Sequence, residues 1–330
     1  MKRWPKVAVV IPNFNGKNLL ADCLRSIKNT ACYPNLEIIV VDNGSTDGSV
    51  EMIKRKFPEV LLITNSKNLG FSKACNQGAC LALERGADYV LFLVNDTKVL
   101  TQRWVEKFVR IAEQDKTIGI IGPKVVGTIQ YPPTNKLYPS GLAEIFKVKT
   151  FPSRTTPVNF ISGAAFFVSR KLIKTVGLLD EAFSPFMCDD LDYFIRTRKS
   201  GFKIIFTPEV VIDHVHSATI KKIAEKKADY VYFVHKRNSL ILARKHFSVF
   251  WFLWEIAFGF VGAFFEKKDV DKPFYVFNIK PNKRFHKRLS LLLKAIVAAL
   301  TVKESKPFPS ATVANPSQHL SIPRRRCDSV

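Results

Sequence analysis

The sequence predicts an α/β fold, a mostly parallel sheet flanked by helices, on three observations. Short, continuously apolar runs alternate with segments of helical periodicity over residues 7–94. The runs lack the alternation of a half-exposed strand, so both faces of the sheet are covered. Three of the first four runs end in polar sequences, PNFNG, DNGSTDG and NDT. A doubly wound sheet gathers such endings beyond the carboxyl ends of its strands, where ligands bind. Asn, Asp and Gly are also ordinary turn formers, which accounts easily for one such ending and less well for three.

Residues 7–11, VAVVI, form the first strand, stopping at Pro12. Residues 17–30 carry Leu19, Leu20, Cys23, Leu24 and Ile27 at helical spacing. The second strand, EIIVV at 37–41, runs into Asp42-Asn43-Gly44. A helix over 47–56, a strand over 60–63 and a helix over 71–85 follow. The fourth strand, 89–94, ends abruptly in Asn95-Asp96-Thr97. Residues 127–158, rich in Pro, Thr and Tyr, read as a long excursion. Regular structure resumes with NFISGAAFFVSR at 159–170, a helix start near Arg170, a helix carrying Leu191, Phe194 and Ile195, and the strand KIIFT.

Composition narrows the class. The 330 residues suffice for one large domain or two ordinary ones, and 47% hydrophobic content supplies a sizeable core. The net charge of +23 calls for an anionic partner. The excess is uneven: residues 221–330 hold 22 Lys/Arg against 8 Asp/Glu. No recognition module or aromatic-interleaved basic motif points to nucleic acid. Six cysteines without metal-type spacing read as isolated reduced thiols. The five-residue apolar run near the N-terminus is too short for a signal peptide.

Several constellations carry chemistry. Asp96, at the end of a buried strand, is costly to desolvate unless something compensates it. A hard cation such as Mg²⁺ or Mn²⁺ does so, with a diphosphate supplying further ligands. Asp189, Asp190 and Asp192 crowd one helix start. Capping and dipole matching explain at least one of them, and close like charges raise a carboxyl pKa, as a general base requires. His214 and His216 follow a strand, as metal ligands or as surface residues. Asn68, Gly70 and Asn76 surround a helix start whose free amides suit a phosphate.

Taken together, VVIPNFNG, IIVVDNGSTDGS, NLGFSKACNQG, FLVNDT, FISGAAFFVSR, GLLDEAFSPFMCDDLDYFIR, HVHSAT and YFVHKRNSLIL give a chain that resembles the family 2 glycosyltransferases of GT-A fold. The likeness is greatest to their rhamnosyltransferase-like branch and covers residues 7–243 in the family's order. The resemblance implies that Asp42 and Asn43 bind the donor nucleobase in a pocket shaped by Pro12, Asn13 and Asn15 and bordered by Asn68 and Gly70. Asp96 takes the metal-binding position of the Asp-x-Asp motif, which here reads Val94-Asn95-Asp96 and lacks its first acid. Asn95 then faces the donor. Asp190 takes the catalytic-base position, Asp189 and Asp192 the acceptor side, and His214 the late metal or diphosphate contact. Arg237, with Asn238, lies near the donor phosphates or holds the helix. The implied cofactor is Mn²⁺ or Mg²⁺, and the implied donor is linked to UDP, dTDP or GDP. The implied reaction is inverting transfer to a glycan or lipid-linked acceptor, rhamnosyl transfer being one option.

The last third divides from this domain at 243/244. FSVFWFLWEIAFGFVGAFF at 247–265 has one charge, Glu255, and basic flanks; LSLLLKAIVAAL at 289–300 is shorter. We expect helices lying on an anionic membrane surface, placing the protein peripherally on the cytosolic face. A membrane hairpin and a helix closing the enzyme's own core are the alternatives. Residues 305–330 read as a disordered basic tail. Competing functions are a nucleotidyltransferase, for which PNFNGKN is a poor phosphate loop, and a catalytically impaired homologue acting as a scaffold.

Overall fold

The computed structural model describes residues 4–127, 133–134, 150–214, 218–267, 277–281 and 285–302. Strands β1 (Val7–Asn13), β2 (Leu36–Asp42), β3 (Leu61–Thr64) and β4 (Tyr89–Leu93) alternate with helices α1 (Lys17–Thr30), α2 (Ser49–Lys56) and α3 (Phe71–Glu84). Each lies within two residues of its expected limits. The continuous apolar runs have the predicted cause. Along β1, Ala8 and Val10 enter a core with Ala74, Cys75 and Ala79 of α3. Val7, Val9 and Ile11 enter the opposite core with Leu20, Leu24 and Ile27 of α1. Both faces of the sheet are buried, and no polar alternation is tolerated.

Beyond β4 the chain adds β5 (Thr97–Val99), α4 (Trp104–Gln114), β6 (Ile118–Gly127), β7 (Thr156–Val158), β8 (Ala165–Ser169), α5 (Arg170–Val176), α6 (Asp189–Lys199) and β9 (Lys203–His214). The sheet order is β3-β2-β1-β4-β8-β6-β9-β5, with β7 also paired to β9. The expectation of a mostly parallel sheet is corrected here. β1–β2, β1–β4, β2–β3 and β6–β9 are parallel; β4–β8, β5–β9, β6–β8 and β7–β9 are antiparallel. Strand–helix alternation implies parallel neighbours only through β4. Pairs such as Leu91 with Phe167 join distant segments and leave no local pattern to read.

The strand KIIFT also continues further than expected. Thr207 pairs with Pro123, and pairing resumes at Val211 with Lys124. Pro208 lies in the skipped stretch, a bulge that absorbs a residue without a ladder donor. β9 therefore reaches His214, which pairs with Thr97 of β5 and Gly127 of β6. Of the excursion at 127–158, residues 128–132 and 135–149 lie outside the described residues. So do His216 and the tail 305–330. Cys23, Cys75, Cys80 and Cys188 are free thiols.

The C-terminal part comprises α7 (Ala218–His246), α8 (Val249–Phe264), a two-stranded ribbon of β10 (Phe265–Lys267) and β11 (Phe277–Pro281), and α9 (Phe285–Thr301). α7, α8 and α9 pack on one another. The expected boundary at 243/244 falls inside α7. No helix among the described residues is long and apolar enough to cross a membrane. α8 turns Glu255 and Gly259 inward; a side chain at Gly259 would overlap Leu292 of α9.

A buried ion cluster joins α6 to the end of α7. Asp192 is fully enclosed. Its carboxylate takes Lys245 Nζ at 2.8 Å, His246 Nε2 at 2.7 Å and Arg196 Nε at 2.7 Å. Lys245 also reaches Asp180 at 2.6 Å. Burial alone would raise the Asp192 pKa; the His246 hydrogen bond and the Arg196 and Lys245 charges outweigh it and hold the carboxyl below its ordinary value. A carboxylate held low contributes fully above the unfolded value and loses that contribution as pH falls through the folded one. Asp192→Ala is expected to lower unfolding free energy by about 3 kcal/mol at neutral pH and to flatten the acid-side loss of stability. Urea titrations between neutral and acid pH check both.

Candidate active site

The strand ends are organised by one buried hydrogen-bond relay. Asp42, at the end of β2, stands in register with Asn13, at the end of β1. Asn13 Nδ2 donates to Asp42 Oδ2 at 2.9 Å, and Asn95 Nδ2 donates to Asn13 Oδ1 at 2.7 Å. Asp42 Oδ1 accepts from the Ser45 amide at 2.8 Å. A carboxylate only accepts, so Asn13 must turn its amide nitrogen to Asp42 and its carbonyl to residue 95. That carbonyl needs a donor, which Asn95 supplies and an aspartate would not. The middle residue of Val94-Asn95-Asp96 thus has a structural reason to be asparagine. Gly16 leaves room for this contact; a Cβ there would overlap Asn95 and Asn13. Pro12 lies where β1 has passed the end of its pairing with β4 and keeps only β2 as a partner.

The loops beyond these strands are clamped to each other. Asn15 adopts a left-handed conformation (φ 49°), which asparagine tolerates, and accepts from the Thr46 amide at 2.8 Å. The Asn15 amide donates to Ser45 Oγ, and that of Lys17 to Asp47. Asn43 is buried; its Nδ2 reaches Asn68 Oδ1 and the Gly70 carbonyl, and its Oδ1 accepts from Asn65 and Leu69. Asn68 also accepts from the Gly70 amide. Gly70 (φ 93°) lies against Ser184 and Pro185, where a Cβ would be crowded.

Asp96 and His214 come together because β5 and β9 pair beside the end of β4. Asp96 Oδ1 lies 3.2 Å from His214 Nε2, and both side chains are almost enclosed. Carboxylate and imidazole are suitable donors for a divalent ion. Among the described residues no group of three or more His, Cys, Asp or Glu forms a complete cage. Mg²⁺-type ions commonly take one or two protein ligands and complete their shell with phosphate oxygens. The pair fits that pattern.

The third acid is reached through Gly163. The Val94 amide donates to the Ala164 carbonyl at 3.0 Å, joining the stretch that carries Asn95 and Asp96 to the segment before β8. The Asp190 carboxylate sits directly over the neighbouring Gly163, where any Cβ would overlap it. Asp42, Asp96 and Asp190 are thus linked by an unbroken series of contacts. Asp189 is buried beside Asp190 and accepts from Ser72 Oγ of α3 at 3.1 Å. Burial raises the pKa of both acids, and the Asp190 charge raises Asp189 further.

Two candidates have other work. Asp192 was expected on the acceptor side; fully enclosed in its ion cluster, it offers no acceptor-binding surface. Arg237 was expected at the donor phosphates or holding the helix. Its guanidinium donates to the carbonyls of Ala182 and Ser184. Asn238 donates to the carbonyls of Phe183, Phe186 and Met187. The Arg-Asn pair therefore holds the loop that leads into Asp189 and Asp190. Sequence reasoning missed Gly16, Ser72 and Gly163. Gly163 lies inside the motif FISGAAFFVSR, and an isolated glycine entering a strand was its available signal.

Three comparisons bear on this arrangement. The model of the family described as Glycosyl transferase family 2 matches residues 8–177, just over half of the chain. The chain is 23% identical over 242 residues to the N-acetylglucosaminyl-diphospho-decaprenol L-rhamnosyltransferase of Mycobacterium tuberculosis, covering 64% of this chain and 76% of that protein. It is 24% identical over 242 residues to the O-antigen biosynthesis protein RfbC of Myxococcus xanthus, covering 68% of this chain. It spans only 18% of RfbC, and 25% of an uncharacterized Sinorhizobium fredii relative. Among solved structures, that of GalNAc-T7 with UDP, GalNAc and Mn²⁺ superposes with a TM-score of 0.55 at 19% identity, covering 78% of this chain and 57% of that one. This likeness establishes a mixed α/β, GT-A-like fold.

The acidic pair is expected to bind its first proton well above pH 3.8, the ordinary aspartate value. Carboxyl-carbon NMR shifts followed through a pH titration check this, with Asp189→Asn and Asp190→Asn assigning the signals.

Proposed function

The chain belongs to glycosyl transferase family 2, and on that premise we propose that it moves a sugar, with inversion, from a nucleotide-sugar donor to a hydroxyl of a glycan or lipid-linked acceptor. The observation that carries the reading is the contact series joining Asp42, Asn13, Asn95, the Asp96 strand end, Gly163 and Asp190. It supports a reading in which Asp42 serves the nucleotide, Asp96 a metal at the diphosphate and Asp190 the reacting hydroxyl.

In this reading Asp42 and the Asn15–Ser45 clamp border the base and ribose. Pro12, Asn13 and Asn43 shape that wall from behind, and Asn68 and Gly70 close it. Asp96 and His214 would hold a Mn²⁺ or Mg²⁺ ion, which supplies charge neutralisation for the departing diphosphate. Asp190 accepts the proton of the acceptor hydroxyl as its oxygen attacks the anomeric carbon and the bond to the diphosphate breaks. The raised pKa of the pair, of which Asp190 keeps partial exposure, suits this task, since a base near the working pH transfers protons most effectively. Asp189, anchored by Ser72, supports Asp190 and borders the acceptor. UDP-, dTDP- and GDP-sugars are the donor classes, rhamnose is one candidate sugar, and the cytosolic face of a membrane is the proposed site of work.

Asp190→Asn is expected to lower kcat by about 10²–10⁴-fold with donor affinity retained. Radiolabelled transfer assays and calorimetric titration of the three donor classes, with and without Mn²⁺, measure the two quantities. A variant with unaltered kcat removes Asp190 from the base role. Gly163→Ala forces the same carboxylate aside without touching its chemistry. It is expected to cost about 10²-fold in kcat while leaving the melting temperature and donor affinity near those of the parent.

A further inference from the structure

α8 and α9 each present a second, outward face. On α8, Phe250, Leu253 and Trp254 are 65%, 57% and 47% exposed. On α9, Leu293, Val297 and Leu300 are about half exposed or more. Each set repeats at helical spacing, opposite the positions that the helix buries, namely Glu255 and Gly259 on α8 and Leu292, Ala295 and Ala299 on α9. The two helices meet where Gly259 abuts Leu292. Large aromatic and aliphatic side chains left in water over two adjoining helices mark an interaction surface.

The charge around this face selects its partner. α9 carries His286, Lys287, Arg288 and Lys294 and no acid. Lys294 is exposed and directly follows Leu293. At the other end of the stripe, Arg244 donates to the carbonyls of Leu300 and Val302, both at 3.0 Å, which fixes a guanidinium beside Leu300. The acid of α8, Glu255, is turned inward and sits 3.6 Å from Lys236. Among the described residues of α8 and α9 this apolar face has a basic rim and no outward acid, and it repels a second copy of itself, whose last 110 residues bear the same excess of 22 Lys/Arg over 8 Asp/Glu. It complements a surface that is apolar below and anionic at its rim.

We propose that the outward faces of α8 and α9 dock on an anionic lipid bilayer, the aromatic and aliphatic side chains entering the acyl boundary and Arg244 and Lys294 meeting the headgroups. The inference stands on this face and is independent of the sugar-transfer reading. The same helices bury their inner faces against α7, so they close the protein's own core on one side and meet lipid on the other.

The test is co-sedimentation of the full chain with vesicles of phosphatidylcholine alone and of phosphatidylcholine with one quarter phosphatidylglycerol. The parent is expected to pellet with the anionic vesicles and to be released in about 0.5 M salt. The triple variant Phe250→Ser, Leu253→Ser, Trp254→Ser, whose positions are exposed, is expected to bind at least about tenfold more weakly with an unchanged melting temperature. Lys294→Glu alone is expected to weaken binding to anionic vesicles and leave that to neutral ones unaltered. A parent that stays in the supernatant with anionic vesicles overturns the proposal, as does a triple variant that binds undiminished. Light scattering that shows a parent dimer split by the triple variant, without loss of vesicle binding, assigns the face to self-association instead and overturns it equally.

Discussion

Burying Asp42 at the end of β2, between β1 and β3, is the constraint from which the site follows. A carboxylate there has to be met by donors, and Asn13 and the Ser45 amide are those donors. Once Asn13 is committed, the hydrogen-bonding sense of Asn95 is determined, and with it the path of the chain into Asp96. Three loops that are distant in sequence are thereby held in one arrangement by side-chain hydrogen bonds. The polar endings of the strands are more than turn formers: they are the fasteners between β1, β2 and β4.

A second tier holds the acidic pair. α6 begins after a loop whose carbonyls are taken up by Arg237 and Asn238 from α7. From below, Asp192 is gripped by Arg196, Lys245 and His246. Asp189 and Asp190 are thus set on a helix start anchored at both ends. That anchoring holds a buried and a half-buried carboxyl side by side. The three acids of CDDLDYFIR differ in setting: Asp189 and Asp190 lie side by side with their pKa values raised by burial, and Asp192 is the counter-ion of Arg196 and Lys245.

Much of this was legible because burial on both faces leaves a strong mark. β1 to β4 read as uninterrupted apolar runs, and α1 to α3 as periodic ones. The antiparallel strands were not, since β8 finds β4 across some seventy residues with no local cue. The second half of β9 was hidden by Pro208, whose missing N–H is accommodated by a bulge that only the partner strand reveals. Asp96 and the cluster of Asp189, Asp190 and Asp192 could be chosen because a carboxylate at a buried strand end or beside another acid is expensive, whereas Asp42, and Asp190 among its neighbours, were singled out by the resemblance to the family. Asp192 could not be told from its neighbours, since its counter-ions, Lys245 and His246, lie on another helix. Arg237 was ambiguous for the same reason: a guanidinium suits a phosphate and a row of backbone carbonyls alike.

The course of α7 bears on where this protein can be divided. The helix is interrupted at Lys227 (φ −143°, ψ 52°) and continues from there to His246, and its last turn supplies Lys245 and His246, which meet Asp192. A chain shortened at 243 would strand that carboxylate in the interior with only Arg196 left to meet it, and one shortened at residue 177, the edge of the family match, would lose Asp189, Asp190 and Asp192 altogether. The smallest piece able to stand alone therefore extends through His246, well past the segment by which its kinship is recognised, and the helical region beyond is grafted onto that piece through a shared strut.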